Sequence, residues 1–402
     1  MRKYTYISLF SSAGVGCYGF TKKGFDCIAT NELIESRLEI QKANSKCKYN
    51  EGYIAGDITQ TETKEKLFKV LANYKQLEDI SDVDIIVATP PCQGMSTANY
   101  KKKNEINRNS LVVEAVHITK KIKPNIFVFE NVQSFLKTMC IDFDEDHISI
   151  EEVINKHLGL SYNIYSKVVN FKDFGVPSSR PRTLVIGTKK ELINISPLNL
   201  FPEIVNQVSI YDVIADLPKL EFGEISKNDV YHFFREYPSY MREWISSIKE
   251  GESAFDSHNP VQPYKLVDGK KQELKGSYMG NKFKRLVWNS PAACIATRND
   301  QLASQSTIHP SEDRVLSIRE LMRLMTIPNS FKWSNVDIDS LKTEHDKKRY
   351  LKSHELNIRR SIGEAVPTHV FESIAEKAKQ LLDFQEFTKK KSLKTTNQTI
   401  SI

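Results

Sequence analysis

A cysteine stands in the segment Thr89-Pro90-Pro91-Cys92-Gln93-Gly94-Met95-Ser96, just after the β-branched run 84–88. Two prolines stiffen the backbone before it and Gly94 frees the backbone after it, a setting for an exposed nucleophile. A lone cysteine is more often a small buried hydrophobe, so the setting has to carry the reading. A thiol of pKa ~8.5 is only a few per cent thiolate at neutral pH, so the site must activate it or work with that fraction. A second apolar run, 125–129, ends in Glu130-Asn131-Val132 and brings a carboxyl group to a neighbouring strand of the same cleft. Arg180-Pro181-Arg182 then sets two guanidinium groups at i and i+2, on one face of an extended segment. They suit a base oxygen, a phosphate or Glu130 itself; alone, such a pair reads as surface salt bridging.

A different chemistry gathers at the start of the chain. The first strand runs into Phe10-Ser11-Ser12-Ala13-Gly14-Val15-Gly16. Glycines there let a ligand approach the backbone, and the following helix offers unpaired N–H groups. The pattern is shared by nucleotide sites, S-adenosylmethionine (SAM) sites and plain tight turns, and its spacing is not GxGxxG. Glu32 ends the second strand, where a carboxylate can accept both ribose hydroxyls. Asp57, in Gly56-Asp57-Ile58, ends the third, where it can accept from an adenine amino group. Each acid alone fits a helix N-cap or a solvated loop. On consecutive strand ends beside a glycine loop, they point to an adenosine site.

The elements that must hold these residues follow a βαβ rhythm. Strands are expected at 4–10, 27–31, 84–88, 125–129, 162–169 and 183–187, with helices at 64–74 and 111–123. Ligands of open α/β sheets bind at the carboxyl ends of the strands, which is where the 10–16 loop, Glu32, Asp57, Cys92 and Glu130 fall. After about residue 190 the rhythm is lost, and helical periodicity returns at 318–325 and 370–384. The acidic stretch 142–146 reads as a solvated loop insertion, and the polar, basic tail from Lys389 as frayed.

Composition sets outer bounds. In 402 residues, 57 Lys and Arg stand against 50 Asp and Glu, a formal charge of +7, with 40% hydrophobic residues. Disordered, collagen-like and membrane-spanning chains are excluded by that balance. No apolar stretch approaches the roughly 20 residues of a bilayer span, and the N-terminus lacks the apolar core of a signal peptide. Six cysteines lie far apart without a CxxC pair, which argues against zinc or a disulfide scaffold and for a reduced cytosolic protein.

Taken in order, Phe10–Gly14, Glu32, Asp57, Pro91-Cys92-Gln93, Glu130-Asn131-Val132 and Arg180-Pro181-Arg182 resemble the DNA (cytosine-5)-methyltransferase family. The segment Arg314-Val315-Leu316-Ser317-Ile318-Arg319-Glu320-Leu321-Met322-Arg323-Leu324, followed by Ile327-Pro328, resembles a later family block. Ile362-Gly363-Glu364-Ala365-Val366-Pro367 resembles its last. The sequence departs from the family at Ser12 and Val15, where glycine is common, at Ser178 for glutamine, and at Glu364 for asparagine. The block at 107–111 matches only in part.

The resemblance implies an α/β fold: a SAM-dependent methyltransferase Rossmann-like mixed sheet with a smaller irregular target-recognition domain. It implies a catalytic part at 1–190, recognition at 191–345, and a segment 346–402 returning to the catalytic domain. Cys92 would attack C6 of a cytosine flipped out of a specific short duplex DNA sequence, making C5 a nucleophile. Glu130 would serve N3 and the amino group, Arg182 the base O2, and Arg180 would orient Glu130 or a phosphate. The methyl donor SAM, leaving as S-adenosyl-L-homocysteine, would lie among Phe10, Ala13, Gly14, Val15, Gly16, Glu32, Leu33, Asp57, Ile58, Pro90, Leu111, Glu364 and Val366, with no metal. Residues 93–110 fit a loop that closes over the base. DNA contacts are expected from Gln93, Ser96, Lys101, Lys102, Lys103, Arg108 and Arg298, and base reading from Asn299, Gln301 or Gln305. The expected setting is the bacterial cytoplasm and nucleoid, as a monomer without membrane association, alongside a separately encoded cognate restriction endonuclease. Three alternatives stay open: a tRNA cytosine-5 methyltransferase of the same superfamily, disfavoured because the Cys-Phe-Thr triplet is absent; a non-enzymatic DNA-binding paralogue, expected to lose Cys92 or Glu130; and a nicotinamide dehydrogenase, which wants GxGxxG and leaves Pro91-Cys92-Gln93 unexplained.

Overall fold

The computed structural model describes residues 2–91, 109, 111–192, 195–256, 258–276 and 280–399, with side chains through 388. The chain forms two compact units, one of residues 1–169, 181–203 and 368–402, the other of 170–180 and 204–367.

The first unit is organised by a seven-stranded sheet. Its elements in chain order are β1 (Tyr4–Leu9), α1 (Tyr18–Lys22), β2 (Phe25–Glu32), α2 (Glu35–Ala43), β3 (Tyr53–Ala55), α3 (Thr61–Glu78), β4 (Ile85–Ala88), α4 (Leu111–Ile122) and β5 (Ile126–Asn131). A hairpin β6 (Met139–Ile141) and β7 (His147–Ser149), α5 (Ile150–Leu158), β8 (Tyr162–Asn170) and β9 (Pro181–Lys189) follow. The strand order is β3-β2-β1-β4-β5-β9-β8. β1 pairs in parallel with both β2 and β4, and β4 with β5, whereas β9 runs antiparallel to β5. Every residue of β1, β4 and β5 is buried, as expected of strands covered on both faces. The chain winds outward from β1 in both directions, so the β1–β4 junction is a switch point whose carboxyl edge opens a crevice.

A long helix spanning Thr368–Thr399 returns to this unit and lies on α1. The approach needs Gly19, because a Cβ there would stand 2.4 Å from the Glu372 backbone nitrogen. Phe20 meets Phe371, and the Thr368 hydroxyl donates to the Val15 carbonyl at 3.1 Å. The acidic stretch 142–146, expected as a solvated loop, is the turn of β6–β7, and Asp142 is buried. The reason is α5: Lys156 Nζ and His157 Nε2 meet the Asp142 carboxylate at 2.9 and 2.8 Å, while Lys156 also reaches Asp144 and Asp146.

The second unit has few repeating elements: α6 (Ile210–Ile214), α7 (Arg242–Ile245), a ribbon β10 (Tyr264–Val267) and β11 (Lys270–Glu273), α8 (Ile318–Leu324) and α9 (Glu344–Glu364). The helix over 370–384 belongs to α10 (Thr368–Thr399), described above. Trp244, Ile245, Tyr264, Phe283, Leu302 and Ile308 form part of one core cluster.

Candidate active site at the carboxyl edge of the sheet

The loop after β1 is held in an unusual backbone shape. Phe10 and Ser12 adopt φ +55° and +46°, and Gly14 adopts +78°. Two non-glycine residues in the left-handed region carry strain that the surroundings must offset. The surroundings are polar and buried. Ser11 N–H donates to the Asn31 carbonyl (3.0 Å), and Ser12 N–H to Glu32 Oε2 (2.7 Å). From α2, Gln41 Nε2 donates to Ser11 Oγ (2.8 Å) and to the Ser12 carbonyl (2.6 Å). Gln41 Oε1 accepts in turn from Thr30 Oγ1 and from the buried Lys46 ammonium, at 2.8 and 3.0 Å. No sequence pattern marks Gln41 or Lys46, because Gln41 acts on a loop about 30 residues earlier and Lys46 acts through Gln41.

Glu32, at the end of β2, accepts a second backbone bond from Ile34 N–H at 3.0 Å. A carboxylate has about four lone-pair sites, so two anchored amides fix it while leaving room for two hydroxyls. Beside it, Leu33 is 66% and Ile34 42% exposed, an apolar surface next to an acid. Asp57 is exposed beyond β3. Its Oδ1 accepts from the Thr59 amide and hydroxyl, both at 2.9 Å, and Ile58 is buried behind it. Asn31 Nδ2 fixes that end of β3 through the carbonyls of Ile54 and Gly56. A fixed acid, an exposed acid and an apolar side chain around a glycine turn fit an adenosyl group. Ala13, Val15 and Gly16 are buried in the base of the loop, and Leu111 opens α4.

The second cluster forms where β4, β5 and β9 meet. Ala88 pairs with Phe129, so Glu130 and Asn131 continue β5 beyond the end of β4. β9 pairs Leu184 with Glu130, and Arg182, two residues away on the same face, reaches the carboxylate with Nε 3.1 Å from Oε1. Glu130 is 6% exposed, so this ion pair is shielded from water. Asn131 Nδ2 donates to the Pro90 carbonyl at 2.8 Å, and Thr89 Oγ1 to the Phe10 carbonyl at 3.0 Å. These bonds tie the chain entering Pro91-Cys92 to β5 and to the β1 loop. Cys92 lies outside the described residues, as do Gln93, Ser96, Lys101, Lys102, Lys103 and Arg108.

The two arginines diverge in their observed partners. Arg180 belongs to the second unit, is buried, and donates to the carbonyls of Ile295, Gly363 and Glu364 at 3.2–3.3 Å. Ser178 is buried too, its hydroxyl on the Leu324 carbonyl at 3.2 Å. Glu364 is exposed and Val366 buried at the end of α9. Arg298 is exposed, with Nε 3.2 Å from Asp300 Oδ1. Asn299, expected at base edges, is 2% exposed instead and donates to the Ala296 and Arg359 carbonyls. Arg285, in the basic segment 282–285, is likewise buried on backbone carbonyls. In both cases an irregular backbone has consumed the side chain as a donor.

A mixed sheet of this order, with acids and a glycine turn at its carboxyl edge, defines a Rossmann-like methyltransferase fold. Solved structures agree on that fold: a prophage-encoded DNA modification methyltransferase of E. coli gives a TM-score of 0.62 at 19% identity, covering 95% of this chain and all of that one. The S. pombe Dnmt2 methyltransferase gives 0.57 at 16% identity, covering 95% of this chain and 100% of that one. In sequence, a family model described as C-5 cytosine-specific DNA methylase matches residues 4–380. The Type II methyltransferase M1.HgaI of Avibacterium volantium is 32% identical over 382 residues, covering 92% of this chain and 96% of that protein. The Type II methyltransferase M.XorII of Xanthomonas oryzae pv. oryzae is 27% identical over 348 residues, covering 81% of this chain and 77% of that one. The chain belongs to the C-5 cytosine-specific DNA methylase family and is a SAM-dependent DNA (cytosine-5)-methyltransferase. Among the described residues no helix is long and apolar enough to cross a membrane.

Proposed function

We propose that this enzyme methylates C5 of a flipped-out cytosine in a short duplex sequence through a covalent adduct on Cys92. The observation that carries the reading is the ion pair of half-buried Arg182 with buried Glu130 beside Asn131, which anchors the chain two residues before Cys92. C5 of cytosine is too weak a nucleophile by itself. Addition of the Cys92 thiolate to C6 moves an electron pair into the ring, and C5 becomes enamine-like. The charge that reaches N3 needs a proton, which Glu130 is placed to supply or share, while recognising the adjacent amino group. Arg182 orients Glu130 and meets the base O2 as charge develops. After methylation, loss of the C5 proton expels Cys92 and restores aromaticity.

SAM supplies the electrophilic methyl group. Glu32 holds the ribose hydroxyls, Asp57 the adenine amino group, Leu33 and Ile58 flank the base, and the 10–16 loop receives the amino-acid end. Flipping the base out of the helix costs a few kcal/mol, and the lysines of 101–103 with Arg108 help meet it through phosphates. The unit of residues 170–180 and 204–367 reads the target sequence. The enzyme works as a monomer in the bacterial cytoplasm, protecting DNA from a separately encoded restriction endonuclease.

The test is trapping on genome-length DNA made with 5-fluorocytosine, which contains every short sequence. Fluorine cannot leave C5 as a proton does, so a denaturation-resistant complex is expected with wild type and SAM. A wild type that methylates normal DNA without trapping refutes the covalent step. Methylation of tRNA but not duplex DNA refutes the choice of substrate.

A further inference from the structure

Asn299 and Arg285 are consumed inside the second unit; Arg298, Gln301 and Gln305 stay exposed there, and so does the ribbon β10–β11. Its two-residue turn, Asp268-Gly269, has φ +49° and +74°, the left-handed pair that a tight hairpin requires. Every residue from 265 to 273 is exposed. A ribbon open on both faces has no core of its own and is marginal alone. It is rooted at one end only, by Tyr264 in the Trp244 core and by Leu274 N–H on the Pro263 carbonyl at 2.8 Å.

The two faces differ. Register places Tyr264 opposite Glu273 and Leu266 opposite Lys271, and Lys265 opposite Gln272 and Val267 opposite Lys270. The first face is neutralised at home: Lys271 Nζ lies 3.2 Å from Glu243 and 4.3 Å over the Tyr264 ring, while the Tyr264 hydroxyl donates to Glu243. The second face carries two ammonium groups, one amide and one branched apolar side chain, with no carboxylate among its four residues. Among the described residues, neither Lys265 nor Lys270 has an ion-pair partner. A major groove about 12 Å wide admits a two-stranded ribbon. There a glutamine can bond an adenine edge in bidentate fashion, an apolar group can meet a thymine methyl, and flanking lysines meet phosphates. An acidic protein patch would use the lysines and leave the amide between them without a role.

We propose that the face of Lys265, Val267, Lys270 and Gln272 enters the major groove of the substrate duplex and that Gln272 reads one base pair there. The inference rests on the enzyme acting at a specific duplex sequence. Three proteins test it against wild type: Lys265→Ala/Lys270→Ala, Gln272→Ala and, on the opposite face, Lys271→Ala. Unchanged tryptophan fluorescence and SAM affinity establish that each is folded. On mixed-sequence duplex DNA, losing two phosphate contacts flattens the log–log salt slope of the double variant by about 1.8. In expressing cells, 5-methylcytosine mapping of Gln272→Ala shows methylation spreading to sites altered at one position, on the order of 10-fold over wild type. Lys271→Ala leaves slope and sites as they are. Wild-type slope and site profile in the first two variants overturns the proposal and leaves the methyltransferase reading standing. Equal slope changes from Lys271→Ala overturn the assignment of the face. A wild type whose methylation is confined to no sequence overturns the underlying reading, and this proposal with it.

Discussion

The two units satisfy their buried backbone by opposite means. In the first, β1, β4 and β5 pair carbonyl to amide along ladders, and their side chains are free to be Ile, Val and Phe. In the second, long irregular stretches leave carbonyls without ladder partners, and buried arginines supply the donors. Arg285 donates to the carbonyls of Ile245, Ile248, His309 and Glu312 and to Asp313. Arg314, fully buried, bonds Glu312 and Glu320, and Arg359 bonds the Asn299 and Leu316 carbonyls and Glu355. Both units bury apolar cores, but the second depends in addition on a few buried charged groups that cannot be lost singly. The first unit departs from its own rule at the β1 loop, where the Gln41 side chain, held by Lys46, takes the Ser12 carbonyl that a ladder would take elsewhere.

Breaking the second unit should therefore take one substitution. Arg314→Met leaves Glu320 buried without its main partner and should cost about 4 kcal/mol in urea unfolding. All three tryptophans (Trp244, Trp288 and Trp333) lie in that unit, so their fluorescence reads it alone. Pairing the change with Glu320→Leu should recover much of the loss, because the stranded charge is gone. A single variant as stable as wild type would remove the contrast.

Acid should separate the units next. Burial pushes the His309 imidazole down to about 4, Arg314 and Arg285 adding to the effect against Glu320 and Glu312. The unfolded chain takes up that proton near pH 6.5 while the folded chain does not, so stability is full above pH 6.5 and falls toward pH 4. Burial acts to raise the Glu320 carboxyl, but Arg314 outweighs it and holds it at about 2, so a further loss begins below pH 4.5. The His309 part alone is worth about 3 kcal/mol. Urea midpoints by tryptophan fluorescence at pH 7.5 and 5 check the sign, and a midpoint that rises at pH 5 contradicts it.

Smaller effects sharpen the exception in the first unit. Gln41→Leu removes the donors on Ser11 and Ser12. SAM affinity should fall about tenfold by calorimetry with affinity for mixed-sequence DNA unchanged, and Gln41→Glu, which keeps an acceptor for Lys46, should not restore it. Equal losses for both ligands would mean that the unit has simply loosened. By contrast Ile86→Val, in the fully buried β4, should cost about 1 kcal/mol, read by amide hydrogen exchange of the sheet.

The same contrast decides what can be read from sequence. Strands β1, β2, β4, β5 and β9 announce themselves as apolar runs because they are buried, whereas β8, at the sheet edge, buries only Tyr162 and Val169 and is legible from its β-branched and aromatic residues alone. Helix α9 escapes because Glu344–Glu364 is mostly polar, with a burying stripe of few apolar residues such as Tyr350, Leu351, Ile358 and Ile362. Glu130 and Arg182 are legible as a motif, yet their pairing depends on β9 entering antiparallel beside β5, which no local pattern states. Asn299 is the opposite case: its partner, the Arg359 carbonyl, is 60 residues away, and nothing near it distinguishes a structural amide from a base reader.

The central claim is that Cys92, served by Glu130 and Arg182, makes 5-methylcytosine in duplex DNA. Bisulfite sequencing of DNA from cells expressing wild type or Cys92→Ala tests it directly. Wild type should mark one cytosine in one short sequence context, and Cys92→Ala, still binding SAM, should mark none. The same methylation pattern from both proteins, or none from wild type, would contradict the account.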